Sequence, residues 1–349
     1  MIKVKLVGAT GYGGVGLIEL LLRHPEIELS TLIAANDTGH AISHFYPHLA
    51  GFCDMMVYPA DAPEADADAD VVVYSTPDGI GMQLAPEEIK KGRKVLDYSG
   101  DFRFNSTALY EEYATRLGLP TTHKAPELLK DSVYGLTELH RDEIANASIV
   151  GNPGCYAVAC ILGLAPAAQA NMIENGKIIC DGKTGISGGG KKPKPGFHYP
   201  EAYDTTYAYR LTGHQHVMEV ERELSLLAGS EIQTTFTPQV VPMARGIMAT
   251  LYGTLTQGTT QEKVLTAYKE FYADKPFVRV SDTPSSTGHV RGSNFVNITV
   301  ACDERTGVLR VISHIDNLIK GQAGSALQNL NIMFGLDEMS GLQLPGAHP

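Results

Sequence analysis

The chain has 349 residues, 43% hydrophobic and 19% charged, with a formal net charge of -11. This length suits roughly two globular domains with ample core. The acidic balance excludes a nucleic-acid footprint, and the longest apolar run, Tyr156 to Pro166, is too short to cross a bilayer.

The five cysteines form no CxxC pair. An odd set points to a reducing compartment, and Met1-Ile2-Lys3-Val4 leads straight into a strand with no leader pattern, so a cytoplasmic protein is expected. Ile2, Val4 and Leu6 alternate with polar neighbours, the pattern of a strand over residues 2–7. Gly8, Gly11 and Gly14 follow at G-x-x-G-x-x-G spacing, and Val15, Leu17, Ile18, Leu21 and Leu22 then supply a helix that stops before Pro25. A second strand runs from Glu28 to Ala35. This is a βαβ unit whose first turn admits a pyrophosphate at a helix N-terminus. Beyond it, Asp37 without a nearby arginine leans towards the ribose diol of NAD.

The Ala/Asp alternation from Asp61 to Asp70 reads as a solvated linker or helix face. A buried strand at Val71–Tyr74 leads into Ser75-Thr76-Pro77, a loop placed to touch a cofactor. Another strand, Lys94–Tyr98, ends in Ser99-Gly100-Asp101-Phe102-Arg103. Arg103 can grip a phosphate or carboxylate in two-pronged fashion, or pair with Asp101.

Ser148–Val150 reads as the last strand of this half. It turns through Gly151-Asn152-Pro153-Gly154 into an apolar helix ending near Ala170. Cys155 falls at the helix N-terminus, where free amides and the helix dipole favour a thiolate. The alternative is an inert buried cysteine. Lys177–Thr184 reads as a strand running into the basic, glycine-rich loop Gly185–Pro193, either an anion-contacting nest or a linker. After an aromatic segment comes Thr212-Gly213-His214-Gln215-His216, with a helix from His216. No third ligand stands at metal-site spacing, so no metal is expected. His214 is instead a candidate acid/base. Strands at 232–241, 246–256 and 277–280, a helix at 261–273, and a hairpin of Asn294–Cys302 with Val308–Ile315 indicate a second sheet. Asp316–Leu330 reads as a closing helix lined with small residues, followed by a tail expected to fray after Gly335.

A nucleotide-binding half, a helix-capping cysteine, a histidine and anion-binding candidates point to one reaction class. A thiolate attacks an activated acyl group, hydride reduces the thioester, and an aldehyde leaves.

Gly8-Ala9-Thr10-Gly11-Tyr12-Gly13-Gly14, Tyr98-Ser99-Gly100-Asp101-Phe102-Arg103, Tyr134-Gly135-Leu136-Thr137-Glu138-Leu139, Asn152-Pro153-Gly154-Cys155-Tyr156, Gly213-His214-Gln215-His216, Val241-Pro242-Met243-Ala244-Arg245-Gly246 and Asp316-Asn317-Leu318-Ile319-Lys320-Gly321 resemble, in that order, the N-acetyl-gamma-glutamyl-phosphate reductases. The resemblance implies NADPH-dependent reduction of an acyl phosphate to a semialdehyde in arginine biosynthesis. It implies an α/β fold of the semialdehyde-dehydrogenase type: a Rossmann-like domain (1–150, completed by about 316–349) and a catalytic and oligomerisation domain with a mixed or antiparallel sheet (151–315). It implies Cys155 as nucleophile, His214 ahead of His216 as acid/base, and Arg103, Arg210, Arg245 and Asn152 as substrate contacts. Cofactor contacts are expected at Gly8, Thr10, Gly11, Tyr12, Gly13, Gly14, Ser75, Pro77, Ser187, Gly188 and Asn317. A homodimer or homotetramer acting on a small molecule, without membrane or nucleic acid, is expected. Asn36-Asp37 stands where many relatives carry serine and arginine, so the residues lean to NAD while the resemblance implies NADP. Aspartate-semialdehyde dehydrogenase and the carrier-linked reductase of lysine synthesis are the alternatives. The former usually places its cysteine directly after Asn, and the latter calls for a basic docking surface.

Overall fold

The computed structural model describes residues 1–347. The chain divides into two compact units. The first comprises Met1–Pro153 and Gln322–Gln343, the second Gly154–Gly321 and the segment from Leu344. Residues 316–321 and 344–347 thus cluster with the second unit, whereas the resemblance implies that the stretch from about 316 to 349 completes the first.

The first unit is built on a seven-stranded sheet: β1 (Ile2–Val7), β2 (Ile27–Ile33), β3 (Val57–Tyr58), β4 (Val71–Tyr74), β5 (Lys94–Asp97), β6 (Ser132–Tyr134) and β7 (Ile149–Gly151). Their order is β3-β2-β1-β4-β5-β7-β6, and every pairing is parallel. Parallel strands need covered faces, and the all-buried Val71-Val72-Val73-Tyr74 run shows it. The order reverses between β1 and β4, the switch point where such sheets open a ligand crevice. The Gly8 and Ser75 loops leave the sheet there.

The helix Gly324–Met333 is buried along its whole length, and it brings polar groups with it. Asn329 is fully buried. It accepts from Thr137 Oγ1 at 2.9 Å and donates to Gly135 O at 2.8 Å and Asn152 Oδ1 at 3.1 Å. The tail does not fray directly after Gly335. Leu342 is buried, Gln328 donates to Glu338 at 2.7 Å, and Asn331 donates to Ser340 O at 2.9 Å.

The second unit carries β8 (Ile173–Thr184), β9 (Tyr207–Ala208), β10 (Thr234–Val240), β11 (Ile247–Leu255), β12 (Val278–Ser281), β13 (Val296–Asp303) and β14 (Val308–Ile315). The sheet runs β12-β13-β14-β11-β8-β10-β9. It is mixed: β8 pairs parallel with β10 and β12 with β13, while the others are antiparallel. The helix Cys155–Gln169 packs on one face. Every residue from Tyr156 to Ala168 is buried, which explains its all-round apolar sequence. A truncation such as Leu162→Ala in that helix should cost about 2–5 kcal/mol. Along β11 the period is two: Ile247, Ala249 and Leu251 are buried, whereas Met248, Thr250 and Tyr252 on the other face are half-buried.

Candidate active site

The approach to Cys155 is fixed by backbone bonds. After β7 ends, the Asn152 N–H donates to Asp97 O at 2.7 Å, and its Nδ2 donates to Gln322 O at 3.0 Å. Arg103, 7% exposed, donates through Nε to Asn152 O at 2.8 Å and through NH2 to Tyr98 O at 2.6 Å. Gly154 caps the helix with extended backbone (φ -73°, ψ 145°) and no side-chain cap, and Cys155 is the first helical residue. The first turn holds no acidic residue, so its amide groups favour an anion.

Two elements of the second unit crowd this turn. Glu219 accepts the Gly154 N–H through Oε2 at 2.9 Å. A side chain at Gly154 would run into the imidazole Nε2 of His216. Near Ile319–Ala323 the backbone forms a π-turn, closed by Gly321 N–H to Asp316 O at 2.9 Å. This presses Gly321 against the thiol residue: a β-carbon there would lie 2.7 Å from Cys155 Cβ. Such turns interrupt helices where a function needs the backbone displaced.

Cys155 opens into a cavity of about 370 Å³ in the second unit, also lined by Gly188, Lys194, Phe197, Tyr209, Arg210, His214 and His216. The two histidines differ electrostatically. His214 is 3% exposed and ringed edge-on by Tyr156, Tyr209 and Phe236. Its Nδ1 accepts the His216 N–H at 3.2 Å. Burial, with the nearby charges of His216 and Arg210, pushes its pKa down to about 2. His214 is therefore held neutral, and because Nδ1 accepts, its hydrogen falls on Nε2. His216 stands at the Gly154 turn itself.

The dinucleotide candidates gather at the β1/β4 switch point of the first unit. Gly8 holds φ +91°, and a side chain there would collide with Ser75 O. The helix Tyr12–Leu21 begins at Gly11 with neither a side-chain cap nor an acidic residue in its first turn. That is a suitable seat for a pyrophosphate. Asp101 accepts the N–H groups of Gly79 at 2.8 Å and Met82 at 3.0 Å, and Asp78 accepts from Gly100 at 2.8 Å and from Tyr113 at 2.9 Å. The loops after β4 and β5 are thereby latched to each other. Asp97, fully buried beside Asp101, is pushed up to about 8 by desolvation and by that neighbouring charge.

Of the three arginines expected at the substrate, Arg210 lines the Cys155 cavity. Arg103 is bonded to main-chain carbonyls in the first unit, and Arg245 is paired with Asp316 at 2.9 Å. Asn317 receives the Gly246 N–H at 2.7 Å and donates to Ser187 Oγ at 3.0 Å, which ties the Ser187–Gly188 loop to it. Glu219, Gly321, Lys194 and Tyr209 were not singled out from the sequence. The signal for Glu219 was its place three residues after His216, on the same helical face. Among the described residues no group of three His, Cys, Asp or Glu side chains is placed to hold a metal, and no helix is long and apolar enough to cross a membrane.

Comparison with known proteins accords with these two bodies. The semialdehyde dehydrogenase NAD binding domain model matches residues 3–147, and the semialdehyde dehydrogenase dimerisation domain model matches residues 155–317. The chain thus has the two domains of a semialdehyde dehydrogenase. It is 44% identical to the N-acetyl-gamma-glutamyl-phosphate reductase of Symbiobacterium thermophilum, over 98% of this chain and 97% of that one. It is 41% identical to that of Acetivibrio thermocellus over 99% of both. The chain belongs to the N-acetyl-gamma-glutamyl-phosphate reductase family. In fold it is similar to the aspartate semialdehyde dehydrogenase with NADP from Candida albicans (TM-score 0.70, 16% identity, 95% of this chain and 98% of that one).

Proposed function

We propose that this chain reduces N-acetyl-gamma-glutamyl phosphate to N-acetylglutamate semialdehyde, releasing phosphate, with NADPH as reductant. The observation that carries the reading is Cys155 at a helix N-terminus, opening into a cavity shared with two histidines and Arg210. The Cys155 sulfur attacks the acyl carbon, and the carbon–oxygen bond to phosphate breaks. His216 takes the thiol proton and passes it to the departing phosphate. His214 donates through Nε2 to an oxygen of the reacting carbonyl. Arg210 holds an anionic end of the substrate, while Arg103 and Asn152 fix the strand exit that leads to the cysteine.

NADPH would be held by Gly8, Thr10, Gly11, Tyr12, Gly13, Gly14, Ser75 and Pro77 in the first unit. When bound, it supplies the hydride. Collapse of the reduced adduct frees the aldehyde and restores the thiolate. We place NADP ahead of NAD on the strength of the family, although Asp37 is exposed where NADP enzymes favour an arginine.

The dimerisation-domain match supports an oligomer. We assign its contact to the sheet face carrying Ile179, Met248, Thr250 and Tyr252, on which Ile179 is 46% exposed. A homodimer or homotetramer in a reducing, cytoplasmic setting follows from this reading and from the need for a free thiol.

The decisive test runs the reaction backwards with N-acetylglutamate semialdehyde, phosphate and NADP or NAD, following reduced cofactor. Phosphate-dependent turnover that Cys155→Ala abolishes is expected. Persistence in that variant would remove the covalent mechanism, and preference for aspartate semialdehyde would remove the substrate assignment.

A further inference from the structure

We propose that the Cys155 cavity sorts its substrates by the charge on the α-nitrogen, with Lys194 and Arg210 excluding a free ammonium group. The inference rests on the reading that the reacting carbonyl sits at Cys155.

Among the described residues, the cavity lining contains two permanent cations, Lys194 and Arg210, and no carboxylate. Three carboxylates carried by elements that pack on the lining residues are engaged elsewhere. Glu219 accepts from Gly154, Asp181 from Gln239 and Lys183, and Asp316 from Arg245. An α-ammonium group entering here would lose solvent, meet like charge and find no counter-ion. Acylation of the nitrogen removes that charge. It adds a small apolar group, for which the lining offers Phe197, Tyr207 and Tyr209. The substrate's α-carboxylate, by contrast, gains from both cations.

The two cations are placed by distinct local features. Arg210 holds φ +42°, the left-handed region that a non-glycine residue adopts at a cost. Its guanidinium is tied to the Gln215 side chain. Lys194 lies over the Phe197 ring, its Nζ 5.3 Å from the centroid, and that ring rests on Gly189, where a side chain would clash with it. The glycine-rich loop therefore does more than contact an anion. It carries an aromatic shelf that holds a cation over the cavity.

Three stable acids built on the same five-carbon dicarboxylate backbone separate the contributions: N-acetyl-L-glutamate, glutarate and L-glutamate. Glutarate lacks the nitrogen altogether, and L-glutamate differs from it by the ammonium group. Their affinities for the enzyme with NADP bound are measured by calorimetric titration, which needs no turnover. Glutarate should bind about tenfold more tightly than L-glutamate, the order expected for unit charges several ångströms apart in a partly wet cavity. N-acetyl-L-glutamate should bind at least as well as glutarate. Raising salt from about 0.05 to 0.5 M should shrink the gap. Lys194→Gln and Arg210→Gln should each narrow the gap severalfold while weakening glutarate.

Equal affinity of glutarate and L-glutamate for the wild type would overturn the proposal, as would a gap unchanged in both variants. A failed functional reading would look different: no turnover of N-acetylglutamate semialdehyde, whatever the order of the three affinities.

Discussion

Glu219 and Gly154 are joined by a hydrogen bond of 2.9 Å from the Gly154 amide to a carboxylate that is 1% exposed. The bond fixes the residue immediately before the thiol. Leaving a buried amide without its acceptor costs about 1–3 kcal/mol. Glu219→Ala should therefore lower stability by about that amount in urea unfolding, and it should reduce kcat more than it raises KM. Glu219→Gln retains an acceptor oxygen and should recover most of the stability. Equal behaviour of the two variants would argue that the bond is unimportant.

The histidine pair gives a second prediction. His214 keeps a pKa of about 2 because it is buried beside cationic neighbours, against roughly 6.5 when unfolded. A depressed folded value means the unfolded chain binds the extra proton first. The contribution of His214 is whole above pH 6.5 and is lost as pH falls towards 2. Urea unfolding at pH 7 and pH 5 should show a loss that His214→Asn reduces. His216→Asn should lower kcat by about 100-fold or more, the usual scale of general acid–base catalysis, as read by steady-state kinetics.

Asp97 works with the opposite sign. Its carboxyl is raised to about 8 by burial and by Asp101, so the folded state holds a proton that the unfolded chain releases near pH 4. Its contribution is complete below about pH 4 and drains away as pH rises through 8. Asp97→Asn should flatten the stability profile between pH 5 and 9, as read by thermal denaturation across that range. An unchanged profile would show that Asp97 is ionised in the folded protein.

Gly321 should tolerate no side chain. A methyl group there would lie 2.7 Å from Cys155 Cβ, well inside van der Waals contact. Gly321→Ala should slow alkylation of Cys155 by iodoacetamide and shift the pH dependence of that reaction. Gly163→Ala is the control. It lies in the Cys155 helix and forces a methyl group onto Leu251 of β11, away from the thiol. It should destabilise the unit without altering the pH dependence.

Much of this was legible in the sequence because it rests on local pattern. Alternation marked β1, the glycine spacing marked the switch-point loop, and Gly154 followed by an apolar run marked the Cys155 helix. Boundaries were less legible. β8 begins at Ile173, although residues 174–177 look too polar for a strand, because Ile173 pairs with Leu255 of β11 across a shift in register. The roles of the arginines were hidden for a similar reason. Whether Arg103 meets a ligand or two carbonyls depends on where Asn152 and Tyr98 lie in space. The His214/His216 distinction needed the aromatic ring of Tyr156, Tyr209 and Phe236, which three separate stretches of chain supply.

The polar bonds of Asn329 set a schedule for the growing chain. Thr137, Gly135 and Asn152 leave the ribosome 192, 194 and 177 residues ahead of the side chain that satisfies them. Until it arrives, three polar groups of the first unit have no buried partner. The dinucleotide half should therefore stay open to chaperones and proteases until Asn329 has been made. A nonsense mutation anywhere before Asn329 should yield a species for proteolytic clearance rather than a stable nucleotide-binding fragment.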